Sequence, residues 1–360
     1  MVRGLIADGR LAEARDILIQ FARFEKDGTL PNMIRGRDAA DRNTSDAPLW
    51  FCVACGDFLK AAGTSDLLKA DCGGRPLGRV LADLGRGLCA GAPNGVAMDP
   101  DSGLLFSPAH YTWMDTNHPA GSPREGYPVE IQALWHASLD LLAAVDTRDK
   151  RRWQSLAGKV ARSLKELFWD PALGYLVDCR HATAGTPARK AEADDALRPN
   201  QLLVVTLRSL IDPAIIVPTV MACRELLVPG AIRSLADRPV KRPLPVIHNG
   251  QLLNDPHHPY QGRYLGDEDS RRKPAYHNGT AWTWMFPVFC EAWVNALGPE
   301  AALTARAWLE SGLRLMETGC LGQIPEIIDG NAPHTPRGCD AQAWGVSELL
   351  RVWHLLHQSA

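Results

Sequence analysis

The feature that most constrains this chain is the helical spacing of its apolar residues, which recurs from one end to the other. In residues 10–26, for example, apolar side chains follow one another at intervals of three and four and therefore share one helix face. The same spacing predicts ten helices, at residues 10–26, 46–63, 76–91, 127–145, 149–169, 200–210, 213–227, 279–297, 299–318 and 341–358. Residues 1–8 add a short apolar stub. These patterns predict an all-α fold.

Strand-like patterns are short and lie between the predicted helices. They occur at residues 95–115, 174–179 and 319–330, where they favour small β-hairpins in the loops. A ring of inner and outer helices is one solution for so many amphipathic elements, because it buries the inner ring and collects the loops at one end. A helical solenoid is the alternative, although we find no repeat of fixed period. Residues 228–275 show little periodicity, and the sequence leaves open whether they close over a pocket as a lid.

Charge and composition argue against several classes of partner. The 39 basic and 41 acidic residues give a net charge of -2, without the basic excess typical of proteins that bind nucleic acids or anionic membranes. No apolar run reaches the roughly 18 residues that a membrane span needs, and the charged N-terminus does not resemble a signal peptide. The sequence therefore predicts a cytoplasmic protein. Cys52 and Cys55 form a CxxC pair without a second pair or a histidine at zinc spacing, so we interpret them as core residues and predict no metal site.

Tryptophans and carboxylates lie close together in the predicted loops. Six of the eleven tryptophans stand beside polar clusters: Trp50, Trp113, Trp135, Trp282, Trp284 and Trp344. This combination suits a sugar, whose flat apolar faces pack on aromatic rings while its hydroxyls bond to polar side chains. Glycosidic cleavage requires two carboxyl groups, one that donates a proton and one that activates water or attacks directly. Asp115 and Glu326 fit this requirement, but spacing alone does not favour them over Asp46, Glu130 or Asp329.

Several segments resemble the C-terminal amylo-α-1,6-glucosidase domain of glycogen-debranching enzymes. They are NTSDAPLWF (43–51), TWMD (112–115), PREGYPVEIQALW (123–135), LRPNQ (197–201), AYHNGTAWTW (275–284) and GCLGQIPEIIDGNAPHTPRGCDAQAWGVSELLR (319–351), in the family's order and over nearly the whole chain. The last segment is the most specific, whereas TWMD alone is weak evidence. The resemblance implies a single domain over residues 1–360 that folds as an (α/α)6 barrel. It also implies hydrolysis of α-1,6-linked glucose with inversion and without a cofactor.

The resemblance assigns roles to individual residues. It implies that Asp115, which ends the TWMD motif, is the general acid, and that Glu326, in GQIPEI, is the general base. Other family positions imply substrate contacts by Asp46, Trp50, Trp113, Glu130, Arg198, Asn200, Gln201, His277, Trp282 and Gln342. Structural alternatives are a helix N-cap for Asp46, either a capping role or a supporting role behind the pocket for Asn200, and a core hydrogen bond for His277.

The sequence also departs from the family. It lacks the N-terminal β-rich domain, the (β/α)8 glucanotransferase domain and the opening helix, whose Arg-Asp motif helps to hold the terminal sugar. Because six helix hairpins need twelve helices, ten predicted helices and a stub imply a barrel without its first helix. Three hypotheses follow. The first is an active glucosidase that acts on branched α-glucans such as glycogen or limit dextrin. The second is a truncated, inactive glucan-binding remnant or a split-gene subunit whose missing segment is supplied by a partner chain, and the third is a glucoamylase-like or trehalase-like hydrolase.

Overall fold

Helices are the main regular elements of the structure, a computed structural model that describes residues 1–115 and 123–358. The α-helices are α1 (Val2–Ala7), α2 (Leu11–Ala22), α3 (Ala47–Ala62), α4 (Leu77–Ala90), α5 (Val129–Val145), α6 (Lys150–Phe168), α7 (Leu202–Thr206), α8 (Pro213–Cys223), α9 (Lys273–Tyr276), α10 (Met285–Leu297), α11 (Ala302–Leu313) and α12 (Ala343–Gln358). Within these described ranges, no helix is long and apolar enough to cross a membrane. The all-α prediction is confirmed in its main feature.

Each of the ten segments predicted to be helical contains a helix, and the N-terminal stub forms α1. The segment 200–210 shortens to the five residues of α7. Pro199 and a 3₁₀ turn precede that helix, and Arg208 adopts a φ of 56°, which an α-helix cannot contain. The one-turn helix α9 lies in the segment 228–275, where the sequence predicts no helix.

Six helices contact one another in a closed cycle. Helix α1 contacts α3, α3 contacts α5, α5 contacts α7, α7 contacts α10, α10 contacts α12, and α12 returns to α1. Helices α2, α4, α6, α8 and α11 each pack against at least one member of this cycle. Burial follows the same division, since α5 buries twelve of its 17 residues, whereas α6 buries six of 19 along one stripe. This packing is consistent with an all-α toroid.

A cavity of about 690 Å³ shows the direction in which the six helices run. Its lining takes residues from every helix of the cycle: Arg3, Gly56, Leu141, Thr206, Asn295 and Arg351. In α3, α5, α10 and α12 most of the lining residues come from the C-terminal half of the helix. The helices of the cycle are therefore parallel, and the segments that precede them meet at the opposite end.

Short antiparallel strands join these preceding segments. The strands are β1 (Ala97–Met98), β2 (Leu105–Phe106), β3 (Gly126–Pro128), β4 (Trp169–Asp170), β5 (Tyr175–Leu176), β6 (Cys179–His181), β7 (Glu192–Ala193), β8 (Leu227–Val228), β9 (Ala231–Arg233), β10 (Ile247–His248), β11 (Gln251–Leu252), β12 (Ala281–Trp282), β13 (Ile327–Ile328) and β14 (Pro336–Arg337). Five of them form one sheet in the order β14-β13-β12-β9-β8, and β3-β6-β7 form another. The short hairpins predicted for the loops are present as β1-β2, β4-β5 and β10-β11, but the sequence does not reveal the two larger sheets, because strands of two or three residues leave no alternation to detect.

The glycines of α4 allow a close approach that the sequence does not reveal. Gly87 lies directly against the backbone of Gly28, and a methyl group on either would overlap the other. We expect Gly87→Ala to destabilise the protein by about 1–3 kcal/mol, because the added carbon overpacks this contact. Gly158→Ala in α6 is the control, since its nearest neighbour is the flexible end of Arg162 at 3.6 Å, and a gain of about 0.5–1 kcal/mol follows from helix propensity. Urea unfolding of both variants measures the difference, and equal stabilities would contradict this packing.

Candidate active site

The residues singled out by the sequence lie just before or at the first turn of the parallel ring helices. Asp46 immediately precedes α3, Glu130 is the second residue of α5, and the 3₁₀ turn at 199–201 leads into α7. Trp282 precedes α10, and Glu326 and Gln342 precede α12. Because the ring helices are parallel, these positions from five different segments come together at one end of the ring.

An aromatic cluster forms the centre of this end. The Trp113 ring packs edge-on against three others, His277 at 5.4 Å, Trp282 at 5.0 Å and Trp284 at 5.1 Å between centroids. His277 and Trp282 stack with an interplanar angle of 8°. Trp113 and Trp282 are only 6% and 3% exposed, so they form mainly the buried floor of the site.

The cluster reaches the surface through half-buried rings. Trp344 stacks on Trp284 with centroids 4.0 Å apart, and Trp50 meets Trp284 edge-on at 6.4 Å. On the other side, Tyr276 packs against Trp282 at 4.8 Å. Partly exposed rings of this kind can pack on the apolar face of a sugar. Of these, the resemblance points to Trp50 alone.

A buried ionic layer supports the aromatic cluster. Asn200 accepts a hydrogen bond from the Trp113 indole at 2.8 Å and donates to Asp178 at 2.8 Å. Asp178 accepts from Arg124 at 2.7 Å, and Arg124 donates to both carboxylate oxygens of Glu130, at 2.5 and 2.7 Å. Glu130 is 1% exposed and Asn200 is fully buried. The structure therefore favours the supporting role for Asn200, and it gives Glu130 an arginine partner inside the protein.

Arg198 and Gln201 are also committed to internal hydrogen bonds. Arg198 donates to the carbonyls of Ser234 at 3.1 Å and His277 at 2.5 Å, and to the Asn278 side chain at 2.9 Å. Gln201 accepts from the Leu176 amide at 3.0 Å and donates to the Arg198 carbonyl at 3.0 Å. These two side chains hold together the segments that precede α7 and α10.

His277 lies within the buried floor of the site rather than at its surface. It is 2% exposed, and burial lowers its pKa well below the usual range, with the charges of Arg198 and Arg124 acting in the same direction. A neutral imidazole that stacks on Trp282 therefore fits the core alternative for His277.

Asp115 and Asp46 occupy environments that favour the protonated carboxyl group. Burial raises the pKa of Asp115, and the charges of Asp41 and Glu326 add to this effect against a 3.3 Å hydrogen bond from Asn32. Burial raises the pKa of Asp46 to about 7, with contributions from Asp115 and Glu130. Asp46 occupies the N-cap position of α3, but its side chain accepts from the Thr44 hydroxyl at 2.7 Å and makes no cap bond, so the N-cap alternative holds for its position and not for a capping hydrogen bond.

Glu326 has a different environment, in which donors surround the carboxylate. Gln342 Nε2 donates to one oxygen at 2.7 Å, and the backbone N–H of Cys339 donates to the other at 3.1 Å. The Tyr276 hydroxyl also interacts with Glu326, and burial together with this negative neighbour raises the pKa of Tyr276, so the phenol keeps its proton. Both oxygens of Glu326 therefore accept hydrogen bonds from within the protein.

Part of the segment 228–275 forms a wall of the site. The Gln261 amide donates to the Asn278 carbonyl at 2.6 Å, and the Tyr260 hydroxyl donates to Asn331 at 2.7 Å. These bonds fix residues 260–264 between the segments that carry Tyr276 and Glu326. Tyr264 packs 5.4 Å from Tyr276, which places another half-buried ring beside the carboxylate.

Sequence reasoning missed the partners of the selected residues. Asn32 lies in a loop without any pattern that connects it to Asp115, and Asp178 ends a short strand-like run. Arg124 and Tyr276 lie within the family-like segments, but nothing in their spacing shows what they bind. No group of three or more His, Cys, Asp or Glu side chains in 1–115 and 123–358 is arranged to hold a metal ion.

Comparisons with known proteins identify one family and one fold. The sequence profile of the family described as amylo-alpha-1,6-glucosidase matches residues 2–351. A solved glycosidase variant in complex with glucose has a TM-score of 0.57 and 14% identity, covering 99% of this chain and 85% of that chain. A GH63 mannosylglycerate hydrolase from Thermus thermophilus, in complex with glucose, has a TM-score of 0.58 and 15% identity, covering 98% of this chain and 91% of its own. At these identities the structures show a shared fold.

Proposed function

The chain belongs to the amylo-alpha-1,6-glucosidase family of glycoside hydrolases, and from this we propose that it removes α-1,6-linked glucose from the branch stubs of glycogen or limit dextrin with inversion. The proposal includes the cytoplasmic location inferred from the sequence. The observation that carries it is the contrast between two carboxyl groups of the same site. Asp115 lies where burial and neighbouring negative charges favour its proton, whereas Glu326 receives donors on both oxygens.

Each carboxyl group suits one half of an inverting hydrolysis. Asp115 in its protonated form donates a proton to the glycosidic oxygen as the bond to the anomeric carbon breaks. Glu326 accepts a proton from the water that attacks the anomeric carbon from the opposite face. The glucose product then has the β configuration, Asp115 is left ionised and Glu326 is left protonated, and exchange with solvent restores both.

The helix packing supports the finer part of the fold proposal. We infer an (α/α)6 barrel in which α1, α3, α5, α7, α10 and α12 are the inner helices, because they contact one another in a closed cycle. Helices α2, α4, α6, α8 and α11 are five outer helices of this barrel. We infer that residues 1–360 form one domain, since the main apolar cluster extends from Ala14 to Leu356.

The stereochemistry of the first product tests the proposed function. The purified protein is incubated with a branched limit dextrin, and the released glucose is followed by proton NMR before mutarotation. We expect glucose release with the β anomer appearing first. An initial α anomer would exclude inversion, and a well-folded protein that releases no glucose would favour the inactive glucan-binding alternative.

A second substrate follows from the structural comparison. Because one similar structure is a mannosylglycerate hydrolase, mannosylglycerate is the informative alternative substrate in the same assay. We expect hydrolysis of limit dextrin in clear excess over mannosylglycerate. The reverse preference would replace the α-glucan proposal while leaving the glycosidase assignment intact.

The carboxyl group of Asp46 makes a pH dependence testable. Activity requires the proton on Asp115. The charge of Asp115 helps to raise the pKa of Asp46 to about 7, and because this repulsion is mutual, each carboxyl group when ionised favours the proton on the other. Removing the charge with Asp46→Asn lowers the pKa of Asp115, so we expect the alkaline limb of kcat/KM to move to lower pH by up to about one unit. Asp38→Asn, in an exposed turn of the preceding loop, is the control. An unchanged limb in Asp46→Asn would show that the two carboxyl groups do not interact.

A further inference from the structure

The chain folds back over Glu326 just before α12. Strand β14 pairs with β13, and the Glu326 amide donates to the Cys339 carbonyl at 2.8 Å. The Gln342 amide then donates to the Ile324 carbonyl at 3.1 Å. These main-chain bonds carry residues 338–342 along the side of Glu326 and fix their distance from its carboxylate.

Three features of this returning segment act on the carboxylate. Gln342 Nε2 donates to Oε1 at 2.7 Å, and the Cys339 N–H donates to Oε2 at 3.1 Å. Gly338 has a φ of 70°, and any side chain there would overlap Oε2 of Glu326. The segment therefore passes too close to the carboxylate for a side chain at position 338, and it supplies one donor to each oxygen.

We propose that Gln342 is a positioning residue that orients the carboxylate of Glu326, rather than a side chain that mainly binds sugar. The proposal rests on the proposed role of Glu326 as the base. An ionised carboxylate has about four acceptor sites on its two oxygens, so the donors from Gln342, Cys339 and the Tyr276 hydroxyl still leave a site for the attacking water. The backbone bond from Cys339 cannot be removed by substitution, and Gln342 is the side-chain donor that the returning segment supplies.

The competing role has its own structural basis. The carbonyl oxygen Oε1 of Gln342 is buried and accepts no hydrogen bond within the described residues, so it remains free to receive a sugar hydroxyl. The two roles predict different kinetics. Loss of a sugar contact present in both ground state and transition state raises KM, whereas loss of base orientation lowers kcat.

The other ionisable groups around Glu326 remain in place in a Gln342 variant. They are Asp115 across the site, the phenols of Tyr276 and Tyr264, and the Cys339 thiol on the returning segment. A change in the pH profile of the variant therefore reports the loss of the amide donor.

The test compares Gln342→Leu, Gln342→Glu and the exposed control Gln323→Leu, using α-glucosyl fluoride and limit dextrin. For Gln342→Leu we expect kcat to fall about tenfold or more while KM stays within about twofold of the wild-type value. We also expect the acidic limb of the pH–rate profile to move to higher pH by roughly one unit. Gln342→Glu places a negative charge beside Glu326, so the acidic limb of its pH–rate profile should move to still higher pH. Gln323→Leu should behave like the wild type.

Other outcomes overturn the proposal. A large rise in KM with kcat and the acidic limb unchanged would assign Gln342 to sugar binding, and no change at all would remove both roles. α-Glucosyl fluoride contains no α-1,6 linkage. If the protein cleaves the fluoride but not limit dextrin, the proposed α-1,6 specificity is refuted, and the role of Gln342 can still be measured on the fluoride. If neither substrate is cleaved, carbon-13 NMR of the Glu326 carboxyl, assigned with Glu326→Gln, decides the point: ionisation at higher pH in Gln342→Leu supports the proposal, and an unmoved titration refutes it.

Discussion

Glu326→Gln is expected to lower kcat for glucose release from limit dextrin by about 10²–10⁴-fold, the usual contribution of a general base. The amide cannot accept the proton of the attacking water, yet it has nearly the size and shape of the carboxylate. Gln342 and the Cys339 N–H both face this group, so the amide nitrogen of the variant must also meet one donor. Stopped assays of glucose release over a range of substrate concentrations separate kcat from KM.

Glu317→Gln provides a matched control for this variant. Glu317 is an exposed carboxylate on the short helix that precedes the Glu326 loop, so its replacement removes the same charge without entering the site. Its kcat should equal that of the wild type. Comparable activity in Glu326→Gln, with thermal unfolding unchanged, would show that another group is the base.

Asp115→Asn is expected to lower kcat on limit dextrin by about 10²–10⁴-fold, and this loss depends on the leaving group. A sugar alkoxide leaves only with a proton, which asparagine cannot donate, whereas fluoride leaves without one. Hydrolysis of α-glucosyl fluoride should therefore remain within a few fold of the wild type. The ratio of the two rates, measured for wild type and variant, gives the contribution of Asp115 as an acid.

The exposed Asp101→Asn, in the turn before β2, is the control for Asp115→Asn and should change neither rate. Equal losses on both substrates would indicate that Asp115 positions the sugar or supports the fold, and that another carboxyl group donates the proton. Asp46 would then be the next candidate, because burial raises its pKa to about 7.

The sequence predicts the helices of this fold well because their signal is local. An amphipathic helix repeats its pattern over three or four turns, and α6 keeps that pattern through 19 residues. The five-stranded sheet has no such signal, since its strands contain two or three residues and pair between segments far apart in the sequence. The order of the helices in space is also absent from the periodicity, because every amphipathic helix shows one apolar face whatever it packs against.

For the site, the family-like motifs identify residues, and the structure supplies their partners. Spacing alone leaves Asp115 and Glu326 among several loop carboxylates, and the motifs single them out. The same motifs assign sugar contacts to Glu130, Asn200 and Gln201, which the structure instead joins to Arg124, Asp178 and the main chain. A buried polar residue needs partners as strictly as a binding residue needs a ligand, so the same residue type fits both roles in a sequence.

The pairing of Trp282 with Ile327 has a consequence for how this pocket can diversify. One inserted residue between Glu326 and Ile327 would shift the register by one position and turn the carboxylate to the opposite face of the sheet. The tip of the turn between β13 and β14, at 332–334, lies beyond these pairs and beyond the bond from the Asp329 amide to the Thr335 carbonyl. Lengthening the chain at 332–334 therefore leaves the register of both neighbouring pairs, and with it the position of Glu326, unchanged.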